Sequence, residues 1–435
     1  MSSENEIEVA EEERTPLLPA QYDPNQNQNC KNTSVSSVPN QRVASLDVFR
    51  GLTVALMILV DDVGKAFPSL NHSPWFGLTL ADFVMPFFLF GVGVSIALVF
   101  KKPLNKQSAT KKVILRTIKL FLLGVLVQGG YFHGRGNLSY GVDLNRIRWL
   151  GVLQRISIGY LLASISELWL VNNTILVNSP ASYVRKYFIQ WVFSLLLCSV
   201  YLSLLYSLYV PNWKFEHSNL LGSGLASIIE NECSVNSPDY GPLPPHSPVW
   251  CLAPFDPEGI LSSLMASITC FMGLQFGHIL VLLQGHKQRV LIWSAFSFSL
   301  LAIGSILQIL GIPVSKALYT LSYMFITAGA SGLVLTVIYY IVDIEHLRKP
   351  TVILQWMGMN ALIVYALAAC DIFTAVIQGF YWRSPENNLV DATEALLQTI
   401  FHSEKWGTLA FVIVEILFWG LFAGFLHKKG IYIKL

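Results

Sequence analysis

Charge is scarce in this sequence. Of its 435 residues only 13% are Asp, Glu, Lys or Arg, about half the share of an ordinary soluble domain, while 53% are hydrophobic. That composition excludes a water-soluble globule, and a mean hydropathy of +0.51 makes a bilayer the natural solvent. Several chemical signatures are missing as well. There is no HExxH or CxxC pair, no Walker loop and no dinucleotide fingerprint. His133, His217, His246 and His402 are scattered without ligand spacing, so no metal site is expected. The net charge of +2 says little about partners, since in a membrane chain the placement of Lys and Arg matters more than their sum, and no nucleic-acid partner is expected. No apolar stretch of signal-peptide type stands near Met1, so targeting is expected to rest on the first spanning helix.

The opening 41 residues are rich in Glu, Asn, Gln, Ser and Pro, and cannot bury enough apolar surface to offset the entropy of ordering. They read as a disordered cytosolic tail. Within it, Glu13-Arg14-Thr15-Pro16-Leu17-Leu18 resembles an acidic dileucine signal that sorts membrane proteins to lysosomes and vacuoles; the alternative is a merely solvated tail.

From residue 42 onward the chain reads as an all-α polytopic integral membrane domain, 42–435. Apolar runs of spanning length lie at 46–67, 78–100, 113–128, 150–171, 187–210, 260–283, 290–310, 318–342, 352–377 and 408–426, about ten transmembrane helices. With the tail in the cytosol, alternate loops carry Lys101, Lys102, Lys106, Lys111 and Lys112, then Arg185 and Lys186, then Lys287 and Arg289, then Arg348 and Lys349, then Lys428 and Lys429. This is the bias expected of cytosolic loops, and it puts both termini on that side. The Pro-rich loop 211–258 and the segment 380–406 then face the lumen. Of six cysteines, Cys30 is in the tail and Cys198, Cys270 and Cys370 lie in apolar runs, which leaves Cys233 and Cys251 in the lumenal loop as a disulfide pair if that lumen is oxidising.

An ionisable residue inside a span costs at least about 2.5–3.5 kcal/mol and marks a functional site by default. Asp47 and Arg50, three residues apart on one helix face, can simply neutralise each other. Asp61, Asp62, His72 and Asp82 are more unusual, crowded around the first lumenal turn. An imidazole accepts a proton near neutral pH, and a carboxylate on one ring nitrogen fixes its tautomer. Asp61 lies eleven residues before His72 and Asp82 ten after it, so a helical hairpin can bring all three together. The alternative is an interfacial histidine with two carboxylates that reach for water. Pro86 follows Asp82 inside the same apolar run, where it frees a backbone carbonyl and favours a kink.

Several blocks in order resemble the heparan-alpha-glucosaminide N-acetyltransferase-like membrane proteins, a group of transmembrane acyltransferases. They are Ser45-Leu46-Asp47-Val48-Phe49-Arg50-Gly51, His72-Ser73-Pro74-Trp75-Phe76-Gly77-Leu78-Thr79-Leu80-Ala81-Asp82, Val84-Met85-Pro86-Phe87-Phe88, Arg146-Ile147-Arg148 with Gly151-Val152-Leu153-Gln154-Arg155, and Asp256-Pro257-Glu258-Gly259-Ile260-Leu261. Pro313-Val314-Ser315-Lys316, Leu321-Ser322-Tyr323 and Gly358-Met359-Asn360 complete the set, so that the resemblance runs from Arg42 to the C-terminus.

The resemblance implies transfer of acetyl from acetyl-CoA across the membrane to the amine of a sugar-like acceptor, with the active histidine at His72. Asp61 and Asp82 join it as catalytic candidates. Animal members of the family carry Asn where this chain has Asp61; an Asn donates and accepts, whereas an ionised Asp only accepts. The additional lumenal domain of the animal members is not seen ahead of the first span, so the acceptor need not be a heparan-type glycan. Phosphates of CoA call for cations, and Arg146, Arg148 and Arg155 supply forked donors; the first two can equally be interfacial arginines at a span end. Arg155 lies deeper and requires a partner, for which Glu258 is the candidate unless it serves its own helix N-terminus. Gln154, Lys316 and Asn360 are cofactor-binding candidates through the family blocks alone. The expected setting is a vacuolar or lysosomal membrane, with membrane lipid as partner and a homodimer left open. Two other readings stand beside the enzyme: a proton-coupled secondary transporter using Asp61, Asp82 and His72 as a relay, for which no inverted repeat is found, and an inactive family member that serves as a binding partner.

Overall fold

The structure, a computed structural model, describes residues 43–64, 66–67, 69–73, 76–101, 105–132, 140–142, 150–172, 179–207, 259–369, 377–384 and 387–432. The tail with its dileucine-like motif, Arg146, Arg148, Glu258, and the pair Cys233 and Cys251 lie outside them.

The described chain is helical almost throughout. Helix α1 (Ala44–Val63) and α2 (Ala81–Val99) flank the segment that carries His72. Next, α3 (Lys106–Gly129) runs into a short antiparallel hairpin of β1 (Gly130–Phe132) and β2 (Tyr140–Val142), in register from Gly130 opposite Val142 to Phe132 opposite Tyr140. Then come α4 (Val152–Trp169), α5 (Pro180–Ser207), α6 (Ile260–Leu282), α7 (His286–Ile309) and α8 (Leu321–Tyr339), the last extended by a π turn at Tyr340–Ile344. A broken pair, α9 (Val352–Met359) and α10 (Ala361–Ala369), precedes α11 (Leu389–Phe401) and α12 (Glu404–Lys428).

Each of the ten apolar runs contains helix, but fewer qualify as spans than the ten expected. Among the described residues, six helices are long and apolar enough to cross a bilayer: Ala81–Val99, Ala181–Leu205, Ile260–Leu282, His286–Ile309, Leu321–Ile344 and Glu404–Lys428. A seventh is formed if α9 and α10, bent by 82° at Asn360, count as one. Charge accounts for the difference. Asp47, Arg50, Asp61 and Asp62 interrupt α1; Lys111, Lys112, Arg116 and Lys119 interrupt α3; Arg155 and Glu167 interrupt α4.

Small residues bring the central helices close, as is usual where lipid removes any hydrophobic drive between helices. A Cβ on Gly93 of α2 would overlap the Cys270 carbonyl of α6, and one on Gly273 of α6 would overlap the Phe90 carbonyl of α2. Gly51 of α1 and Gly358 of α9 stand in the same relation, meeting the carbonyls of Leu354 and Asp47. Met85 and Leu89 of α2, Met265 and Cys270 of α6, Ala163 of α4 and Met324 of α8 share one buried core. By contrast α5 and α7 expose Leu195, Leu196, Leu291, Phe298 and Ile309 on faces suited to lipid. The α7–α8 turn is pinned to the α1–α2 segment by a backbone bond, Gly77 N–H to the Val314 carbonyl at 3.0 Å. Gly77 has φ +111°, a left-handed conformation that costs glycine nothing.

Candidate active site

Asp82 occupies the first turn of α2, where the helix dipole favours a carboxylate, and is completely buried. Its Oδ2 accepts from the Ser73 hydroxyl (2.8 Å), from the Thr79 hydroxyl (3.0 Å) and from the backbone N–H groups of Thr79 (3.0 Å) and Ser73 (3.4 Å). Those donors all come from the segment just before α2, so the chain wraps its own carboxylate and fixes its orientation. Oδ1 is left to face His72, with Nδ1 of the ring 3.2 Å away. The backbone N–H of His72 donates to the Asn71 side chain at 2.8 Å. The imidazole is 17% exposed, so it is held at its base and open at its rim.

Pro86 explains a second contact. With no N–H of its own, it leaves the carbonyl four residues earlier, that of Asp82, without its helical partner. The buried hydroxyl of Tyr323 on α8 donates to that oxygen. Thus α8 is keyed into the one gap in the α2 hydrogen-bond ladder beside the carboxylate.

Lys316 arrives from the α7–α8 turn. Its Nζ is 2.9 Å from His72 Nδ1, 3.4 Å from Nε2 and 3.9 Å from Asp82 Oδ1. Ser315, Thr320 and Ser322 lock the turn. The hydroxyls of Thr320 and Ser322 donate to the Pro313 carbonyl at 2.8 and 2.9 Å, and Ser315 N–H donates to the Thr320 hydroxyl at 3.1 Å. Tyr319 sits in this turn at φ +52° with its phenol wholly buried against Thr269 (2.9 Å).

The sequence candidates are therefore not all in one place. His72 and Asp82 are in contact, and Lys316, expected to help bind the donor, stands beside them. Asp61 stands exposed in the last turn of α1. Arg155 is buried in the first turn of α4 and donates to the Ser262 hydroxyl of α6 (3.3 Å) and the Gly151 carbonyl (3.4 Å). Gln154 beside it and Asn360 at the α9–α10 break are both buried, with neither polar atom of either amide hydrogen-bonded among the described residues. Sequence reasoning missed Ser73, Thr79 and Tyr323; the spacing of Asp82 and Pro86 was the available signal for the last.

A second buried polar cluster, also unread in the sequence, joins α4, α5 and α6. Glu167 contacts His278 Nε2 at 3.0 Å and accepts from Gln190 at 3.1 Å; Gln190 accepts from Gln275 at 3.3 Å; Tyr183 donates to Gln275 at 2.8 Å. Tyr187 stacks on His278 with ring centroids 4.1 Å apart. The described residues hold no cluster of three or more groups suited to a metal.

Comparison with known proteins adds a likeness. The family model described as "Heparan-alpha-glucosaminide N-acetyltransferase, catalytic" matches residues 42–254. A heparan-alpha-glucosaminide N-acetyltransferase of Mus musculus is 26% identical over 448 residues, covering 95% of this chain and 64% of the relative. Its Homo sapiens counterpart is 27% identical over 414 residues, covering 88% and 60%. The chain thus spans somewhat under two thirds of the length of the curated relatives it matches.

Proposed function

From its likeness to the heparan-alpha-glucosaminide N-acetyltransferases, we propose that this chain is a membrane acetyltransferase that moves the acetyl group of acetyl-CoA to the amine of an amino-sugar-like acceptor, with His72 at the centre of the reaction. The observation that carries the reading is the ring itself, an imidazole anchored at Nδ1 between a buried carboxylate and an ammonium at one end of the helical bundle. Bound acetyl-CoA would supply a thioester carbonyl. The acceptor amine must lose a proton to form the amide, and an imidazole nitrogen is the group within this site suited to take it or to carry the acetyl itself.

Chemistry of the donor set supports the cosubstrate. Arg155 offers a buried guanidinium, and the amides of Gln154 and Asn360 have no protein partners among the described residues, as side chains meant for a ligand rich in amide and phosphate groups would. The Lys and Arg bias of the loops supports a cytosolic tail and C-terminus, with His72 towards the lumen of a vacuole or lysosome.

Single-turnover transfer from labelled acetyl-CoA to glucosamine tests the proposal. His72→Ala should lower the rate by about 10²- to 10⁴-fold if the ring is a general base, and leave almost nothing if it is an obligatory nucleophile. An undiminished rate would remove His72 from the mechanism. If neither protein transferred acetyl while both moved a solute across sealed membranes, the chain would be a transporter instead.

A further inference from the structure

Nδ1 of His72 has two neighbours that make opposite demands. A carboxylate can only accept, so the 3.2 Å contact with Asp82 Oδ1 is a hydrogen bond when Nδ1 carries a proton. An ammonium can only donate, so the 2.9 Å contact with Lys316 Nζ is a hydrogen bond when Nδ1 presents a lone pair. One ring nitrogen cannot do both. The Lys316 contact is the shorter, and the ammonium also lies 3.9 Å from Oδ1, where its charge offsets the repulsion between the carboxylate and a bare Nδ1. The reverse arrangement would press an N–H against an ammonium at 2.9 Å with nothing between them.

We propose that Lys316 is a positioning residue that sets the tautomer of His72, holding Nδ1 as the acceptor and leaving the proton on Nε2. This deepens the acetyltransferase reading and rests on it for its significance. In this state the ring offers the reaction an N–H at Nε2, a donor suited to a carbonyl oxygen, and has no lone pair there to take an amine proton or an acetyl group. The basic state appears when Lys316 moves off Nδ1 onto Asp82 Oδ1, a shift of about 1 Å to reach hydrogen-bonding distance. Nδ1–H then pairs with the carboxylate and Nε2 is bare. The two states differ only in which ring nitrogen holds one proton, so no proton is gained or lost between them. Asp82 is suited to receive the lysine because its other oxygen is already taken by Ser73 and Thr79, leaving Oδ1 for the ring and the ammonium. Lys316 thereby decides whether His72 is a donor or a base.

Nitrogen NMR of full-length protein with ¹⁵N-labelled histidine, in the absence of any acetyl donor, reads the tautomer. The His72 signals are assigned by their loss in His72→Gln. The wild type should show a protonated Nε2 and a bare Nδ1, and Lys316→Met should reverse them, because Asp82 is then the only charged neighbour left on Nδ1 among the contacts described. Lys316→Arg, which keeps a cationic donor, should retain the wild-type pattern and serves as the comparison if the methionine variant fails to fold. A protonated Nδ1 in the wild type would overturn the proposal, and so would a pattern unchanged by Lys316→Met. Because no donor is present, a wild-type protein that failed to transfer acetyl would sink the enzymatic reading while leaving the tautomer result standing.

Discussion

Asp82 is held through its side chain by its own loop and through its backbone by a different helix. Its carbonyl oxygen is open because residue 86 is proline, and Tyr323 closes it. A buried carbonyl without a partner costs about 1–3 kcal/mol, so Tyr323→Phe should destabilise the protein by roughly that amount. Pro86→Ala restores an N–H four residues on and should make Tyr323→Phe much milder. Thermal unfolding of the two single variants and the double variant in detergent measures the coupling. Strictly additive effects would show that the Tyr323 hydroxyl is not compensating for the proline. His72 and Asp82 were legible in the sequence because ten residues separate them and ionisable groups are rare in apolar runs. Lys316 was named, but its contact with the ring was not legible, since the two stand 244 positions apart in the sequence. No periodicity or spacing argument reaches across that distance.

At the scale of elements, apolar runs of spanning length locate the helices, because a backbone in lipid must satisfy its hydrogen bonds internally and helix is the local way to do so. They do not reveal where a helix breaks. The run 352–377 is apolar apart from Gln355, Asn360, Asp371 and Thr374, and nothing in that pattern announces that α9 and α10 part at Asn360 with a bend of 82°. The reason lies in the partner: Gly358 is pressed against the Asp47 carbonyl of α1, and Met357 and Val364, on either side of the break, are both buried in a core that includes Val54, Ile58 and Trp419. Gly358→Ala should force α1 and α9 apart and lower stability by about 1–3 kcal/mol. Gly285→Ala, where an added Cβ meets only ordinary contacts, is the matched control. Equal melting temperatures for the two variants would refute the close approach. The exposed stripe Leu389, Leu396 and Ile400 on α11 was read only as part of a lumenal segment; the apolar face is helical in period and too short to register as a span.

Taken whole, the molecule should place both termini in the cytosol. Tags at either end should be digested by protease added to the cytosolic face of sealed vesicles, and a tag inserted in the loop 211–258 should be protected. A protected N-terminus would reverse the orientation and move His72 to the other side. The route by which such a molecule is made follows from the backbone bond between Gly77 and the Val314 carbonyl, and from the lysine two residues beyond it. A ribosome delivers the imidazole and the carboxylate early, but their third partner only after most of the chain has entered the bilayer. Until the turn carrying Lys316 docks, the carboxylate and imidazole lack the cation that offsets them, and the Asp82 carbonyl lacks Tyr323. A nascent chain arrested before that turn would carry the residues of the site without its assembled geometry. Completion of synthesis is therefore coupled to completion of the site, and the cell's quality control meets an unfinished polar cluster in the membrane for as long as the later helices are missing.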